Sequence, residues 1–169
     1  MPPTATKNLS MTSDSSPVAP MSVVCDWNSI ITDPSAADGS YPITDLTSIS
    51  AATRFIMKRP GQAGTTFRAR LRYPSGLTLT QNPRGQLFGR VGDSGEWELL
   101  KTLSGSDYAE FASAASDPVV ATGYKATYCD PLAHAWDTNG NDQFMFGITQ
   151  ALTGSGGTAS AASIQAKVI

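Results

Sequence analysis

After residue 22, apolar and polar residues alternate with a period of two through much of the chain. That is the rhythm of antiparallel strands with one face buried. The clearest run is Phe67-Arg68-Ala69-Arg70-Leu71-Arg72-Tyr73. Phe67, Ala69, Leu71 and Tyr73 take one face of it, and Arg68, Arg70 and Arg72 the other. Pro74-Ser75-Gly76 turns the chain, and residues 77–80 repeat the alternation. Residues 86–91 and 96–103 read as the arms of a hairpin joined by Gly92-Asp93-Ser94-Gly95. Further strands are expected over residues 23–31, 52–58 and 119–128. Near the C-terminus, Phe144, Phe146 and Ile148 alternate with Met145, Gly147 and Thr149. Ile164, Ala166 and Val168 then alternate with Ser163, Gln165 and Lys167, making a final pair of strands with Gly154-Ser155-Gly156-Gly157 between them.

One segment departs from this rhythm. Asp107 followed by Glu110 matches a helix capping box, and Tyr108, Phe111, Ala112 and Ala115 would form the apolar stripe of a short helix ended by Asp117-Pro118. The expected fold is therefore all-β, an antiparallel β-sandwich or jelly roll of about eight strands with one short helix. That domain is assigned to residues 22–169. Residues 1–21 carry Pro2, Pro3, Pro17 and Pro20 among serines and threonines, with isolated Leu9, Met11 and Val18. They read as an extended arm too poor in apolar surface to fold alone.

Composition narrows the function classes. The chain has 169 residues, 40% hydrophobic and 15% charged, and an average soluble protein carries about 25% charged residues. At this length about 70% of the unfolded chain's surface can be buried, so no metal or disulfide is needed to fold. A net charge of −2 gives no global attraction to nucleic acid or to anionic lipid. No apolar run is long enough to span a membrane, and residues 1–7 lack the apolar core of a signal peptide. Cys25 and Cys129 read as small buried hydrophobes, with one long-range bridge as the other possibility.

Candidate chemistry is sparse. His134, the single histidine, sits near Cys129, Asp130 and Asp137, the residue types of a nucleophile and its base. These residues crowd into one turn, whereas such sets assemble from distant segments. Glu96 and Glu98 share a strand face, as a glycosidase pair would, but Trp97 and Leu99 take the inward side, leaving the glutamates to solvent. Residues 137–142, Asp-Thr-Asn-Gly-Asn-Asp, offer oxygen ligands for calcium and also spell a tight turn. They miss the EF-hand pattern, because Ile148 stands where the closing glutamate belongs. Trp97 is expected in the core, while Trp27 and Trp136 cannot be placed. The arginine stripe could hold phosphate, sulfate or an acidic neighbour chain, or stand as a plain exposed sheet face. Nucleic acid is not expected there, because no aromatic residues interleave with the arginines on that face. No phosphate-binding loop, zinc spacing or serine elbow occurs, so no catalytic, cofactor-binding or metal-binding residues are assigned.

Residues 135–156, Ala-Trp-Asp-Thr-Asn-Gly-Asn-Asp-Gln-Phe-Met-Phe-Gly-Ile-Thr-Gln-Ala-Leu-Thr-Gly-Ser-Gly, and residues 162–169, Ala-Ser-Ile-Gln-Ala-Lys-Val-Ile, carry the one family likeness. Their rhythm resembles the closing hairpin of small β-sandwich proteins of tailed phages, the head-decoration (cement) proteins and related tail or fibre components. The resemblance implies a structural protein of the capsid surface that binds the major capsid protein or another virion protein, and copies of itself, as trimers. Leu9, Met11 and Val18 of the arm, with Arg68, Arg70 and Arg72, are the expected partner-binding residues. A carbohydrate-binding module and a tail or fibre component are the alternatives. A hydrolase built on His134 or on Glu96 and Glu98 is a third.

Overall fold

The computed structural model describes residues 8–13, 16–22, 27–36, 54–58, 66–129, 135–138 and 140–168. The strands are β1 (Asn8–Ser13), β2 (Ser16–Ser22), β3 (Asn28–Ile31), β4 (Arg54–Lys58), β5 (Thr66–Pro74), β6 (Thr78–Gln81), β7 (Arg84–Arg90) and β8 (Glu98–Leu100). They continue as β9 (Ala109–Glu110), β10 (Val119–Ala121), β11 (Tyr124–Tyr128), β12 (Ala135–Asp137), β13 (Gln143–Gln150), β14 (Thr153–Ser155) and β15 (Ser163–Val168). Among the described residues the helical pieces are 3-10 turns, Pro34–Ala36 and Ala159–Ala161. The fold is an all-β antiparallel sandwich.

The first sheet runs β2-β1-β4-β13-β7-β8, with β9 also on β7. The second runs β10-β11-β5-β15-β3, with β12 also on β5. A small ribbon, β14-β6, stands beside them. The alternation in β5 is realised as read: Phe67, Ala69, Leu71 and Tyr73 are buried, while Arg68 is exposed and Arg70 and Arg72 are half-buried. Those four inward residues meet Phe144, Phe146 and Ile148 of β13 and Leu87 of β7 in one core. Phe67 stacks on Phe146 at 6.0 Å between ring centres, joining the sheets at their middle. Trp136 of β12 packs edge-on against both rings, at 5.6 Å and 6.0 Å. Offset and edge-on contacts of this kind hold aromatic cores in one arrangement. Gly85 is where this cluster needs a missing side chain: a Cβ there would lie 2.3 Å from Phe146 Cζ.

The β7–β8 hairpin forms as expected, with Leu87 opposite Leu100 and Phe88 opposite Leu99. Three other expectations are corrected. The closing pair is not a hairpin. β13 pairs with β4 and β7 in the first sheet, and β15 with β5 and β3 in the second. Period-two runs encode which face is buried but not which strand lies alongside.

The predicted helix over residues 107–115 is absent. Ala109 and Phe111 are fully buried with Glu110 between them half-exposed. β9 pairs with β7, setting Glu110 opposite Arg84, and the Phe111 N–H donates to the Pro83 carbonyl at 3.1 Å. The Asp107 carboxylate meets Lys101 at 3.0 Å. A neighbouring strand edge outweighs a local capping signal of about 1 kcal/mol.

Within the expected arm, β1 and β2 form a hairpin that continues the first sheet, Met11 lying opposite Met57 of β4. The partner strand that orders this segment is far away in sequence, so local composition could not reveal it. β2 is the outer strand and contains Pro17 and Pro20. Proline is tolerated in strands chiefly at such edges, where it blocks further pairing.

Candidate binding face

The solvent side of the second sheet gathers the residues best suited to hold a partner. Its register is set by β5. Tyr128 of β11 lies opposite Arg70, and Tyr124 lies opposite Pro74, two residues from Arg72. On the other side, Gln165 of β15 lies opposite Arg70 and Lys167 opposite Arg68. Directly opposed residues of antiparallel strands share a face. Arg68, Arg70, Arg72, Lys167, Tyr124 and Tyr128 therefore all stand on the outer side.

Trp27, just before β3, completes the face. The Arg70 guanidinium lies 4.5 Å from the centre of the Trp27 ring, and Lys167 Nζ lies 5.4 Å from it. Tyr128 meets Trp27 edge-on at 5.7 Å. Arg72 lies 3.5 Å over the Tyr124 ring. Arg70 Nε also donates to Gln165 Oε1 at 2.9 Å, and one of its terminal nitrogens to the Tyr128 hydroxyl at 3.5 Å. The Arg70 and Arg72 guanidinium groups are thus braced by aromatic rings, so less freedom remains to be lost when their charges meet an anion. Lys167 lies directly opposite Arg68 across the two strands. Among the described residues of this side, Asp137 of β12, placed opposite Thr66, is the carboxylate.

This arrangement corrects the premise on which nucleic acid was set aside, because aromatic rings do interleave with the arginines. They come from β11 and the start of β3, not from β5 itself. Nothing in the alternation of β5 could have signalled them, since they reach the face through non-local pairing. The same device recurs on other strands, with Arg90 over Trp97 at 4.4 Å and Arg84 over Tyr108 at 4.8 Å. Trp97 is half-buried beneath Arg90 and not in the core cluster, which corrects its expected placement.

The other expected partner residues lie elsewhere. Leu9 and Met11 are in β1 and Val18 is in β2, at the outer end of the first sheet. The fold does not join them to the arginines in one sheet.

Some of the candidate catalytic and metal residues fall among the described residues. Cys129 is buried, its thiol 3.7 Å from the Ala69 carbonyl. His134, Asp130 and Cys25 lie outside the described residues. Glu96 and Glu98 are exposed, on the solvent side of their hairpin. In the 137–142 segment the Asn141 N–H donates to the Thr138 carbonyl at 3.0 Å, and Asp142 accepts the Gly92 N–H at 2.8 Å. These bonds of Asn141 and Asp142 hold the segment in its turn and against β7. Among the described residues no three His, Cys, Asp or Glu side chains gather as a metal site would require.

A cleft of about 400 Å³ opens between β5, β6 and β11, lined by Tyr73, Leu77, Leu79, Ser113 and Lys125 among others. The Tyr73 hydroxyl donates to Asp117 at 2.7 Å. Burial first, then that hydrogen bond and the carboxylate charge, push the Tyr73 phenol well above its ordinary value. It stays protonated and is not a base. Lys125 Nζ donates to the Ala115 carbonyl at 3.3 Å. The cleft therefore presents two hydrogen-bonded groups and an apolar floor, with no activated nucleophile in its described lining.

No protein-family profile matches the chain, and neither a curated protein nor a solved structure matches it.

Proposed function

We propose that the protein is a structural component of a virus particle, of the head-decoration type, and that it docks through the arginine–aromatic face of the second sheet. The observation that carries the docking reading is the bracing of Arg70 and Arg72 on Trp27 and Tyr124 beside Lys167. A face built of pre-positioned guanidinium groups suits the carboxylates of another protein surface. Placement on a virion is a reading of the strand rhythm of residues 135–156 and 162–169, whose strands β13 and β15 lie in opposite sheets and not in a hairpin; a tail or fibre position fits the same surface. The major capsid protein, or another shell protein, would supply the acidic surface. The contribution of such a protein is mechanical: contacts repeated by symmetry add up over a shell.

The test is co-sedimentation of the full-length protein with particles that lack it. Binding is expected at low salt, and Arg72→Glu is expected to remove most of it without unfolding the protein. Undiminished binding by a folded Arg72→Glu variant would sink the docking reading. Failure of the wild-type protein to sediment with any particle would sink the virion reading.

A sugar-binding role has one observation in its favour, the presence of Trp27, Tyr124 and Tyr128 on one face. Its difficulty is geometric. Trp27 and Tyr128 meet at 64°, not as a flat platform, and Trp27 and Tyr124 carry cations over their rings. A glycan array read with the wild-type protein separates the two roles.

A further inference from the structure

After β5 the chain turns, with the Leu77 N–H donating to the Pro74 carbonyl at 2.9 Å, and β6 then pairs with β14 and not with either large sheet. The ribbon so formed stands off from the inner side of β5 and β11, and the cleft of about 400 Å³ is the space between them. Small-molecule sites span roughly 300–1,000 Å³. The floor is apolar and fixed. Leu77 is buried, and Leu79 is half-buried against the core. Gly154 and Gly157 close on Leu77 so tightly that a Cβ at either would lie 2.9 Å or 3.1 Å from one of its atoms.

The unexpected member of the lining is Lys125. It lies opposite the buried Tyr73, so it projects to the inner side of β11. The next residues on that side, Thr127 and Cys129, are buried. A cation at such a position is costly to desolvate unless an anion or dipoles face it. Its ammonium donates to the Ala115 carbonyl at 3.3 Å, and an ammonium has three donors, so donors remain for a ligand. No carboxylate is among the described residues that line the cleft. Asp117 accepts instead from the Tyr73 hydroxyl at 2.7 Å and the Ala114 N–H at 3.0 Å.

We propose that this cleft binds a small amphipathic carboxylate, its head group on Lys125 and its apolar body on Leu77 and Leu79. The cation selects an anionic head, and burial against the two leucines stabilises an apolar body but not the hydroxyls of a sugar. The hydroxyls of Ser75, Thr78 and Ser113 also line the cleft and can donate to the head group. Lys125 and Tyr73 face inward while Arg70 and Arg72 face outward, so the site is distinct from the arginine face and does not rest on the docking reading.

The experiment titrates the isotope-labelled full-length protein with sodium octanoate at neutral pH and follows its backbone amide signals by NMR. Saturable shifts are expected at Leu77, Leu79, Ala114 and Ala115, with a Kd on the order of 0.1–1 mM for a ligand of about ten non-hydrogen atoms. Octanamide keeps the chain without the charge and is expected to bind about tenfold more weakly. Lys125→Met is expected to lower octanoate affinity to that of octanamide and to leave octanamide binding unchanged, whereas a merely structural loss would weaken both. Ala115→Trp, at an exposed position of the lining, is expected to block both ligands. A thermal melt of each variant verifies folding.

Octanoate that leaves these amides unmoved at about ten times that Kd overturns the proposal. So does undiminished octanoate binding by folded Lys125→Met or folded Ala115→Trp, or equal affinity of the wild-type protein for octanoate and octanamide. Shifts confined to Arg68, Arg70 and Arg72 would place the acid on the outer face and overturn it as well. Lining amides that shift on dilution without any ligand would assign the cleft to a second copy of the chain, with the same consequence.

Discussion

The Arg70 guanidinium lies 4.5 Å from the centre of the Trp27 ring, which brings a cation of β5 onto an aromatic that precedes β3, two strands away across β15. Gln165, on the intervening strand, accepts from Arg70 Nε at 2.9 Å and so fixes the direction of the guanidinium plane. The face is thus held by side chains as well as by the sheet beneath it.

Replacing Arg70 by lysine tests that arrangement. Lysine keeps the charge but loses the flat stacking surface and the directed donor. Arg70→Lys is expected to lower stability by about 1 kcal/mol in urea unfolding and to weaken partner binding. Wild-type values in both measurements would show that Trp27 does not position this cation.

The Gly85–Phe146 contact makes a second prediction. A Cβ at residue 85 would overlap the Phe146 ring, so Gly85→Ala is expected to cost about 1–3 kcal/mol. In a Phe146→Leu background the same change is expected to cost much less, because the clashing ring is gone. A double-mutant cycle reads the difference. Additive losses would place the strain elsewhere.

Glu110 sets a pH dependence. Asn82 Nδ2 donates to one carboxylate oxygen at 3.0 Å and Arg84 Nε to the other at 2.6 Å. The Asn82 hydrogen bond, aided by Arg84 and opposed by burial, holds the carboxyl below its ordinary value of 4.5. A depressed carboxylate adds stability above its unfolded-state value and loses it as pH falls through the folded-state value. Glu110→Gln is therefore expected to lower stability by about 0.5–1 kcal/mol at pH 7. Well below the usual carboxylate range the two proteins should converge. Melts at both ends of that range are the measurement, and an equal gap at both would mean the pair does not titrate as described.

The edge prolines give a fourth expectation. Replacing Pro17 and Pro20 by threonine restores N–H donors on the outer strand of the first sheet. Self-association by edge pairing should rise, seen as light scattering that salt does not reverse. Scattering equal to that of the wild-type protein would show that something else protects this edge.

What the chain determined by itself is the local part of the structure. The alternation of Phe67 to Tyr73 set which side of β5 is buried, and the turn residues 92–95 set the β7–β8 hairpin. Both depend only on side-chain direction and turn chemistry between neighbours in sequence. The tertiary structure decided the rest. β13 and β15, which look like successive arms of a hairpin, were parted into opposite sheets. Residues 109–111 followed the edge of β7 and not their own capping signal. Leu9 and Met11 entered a sheet because β4 offered an edge. The candidate face followed the same rule. The sequence displayed Arg68, Arg70 and Arg72 as a stripe, but Trp27, Tyr124, Tyr128 and Lys167 joined them only through pairings between distant strands. Period two tells a strand which way to face and carries no information about its neighbour. Partners are chosen by how the buried faces of all the strands fill one core, and that is a property of the whole chain.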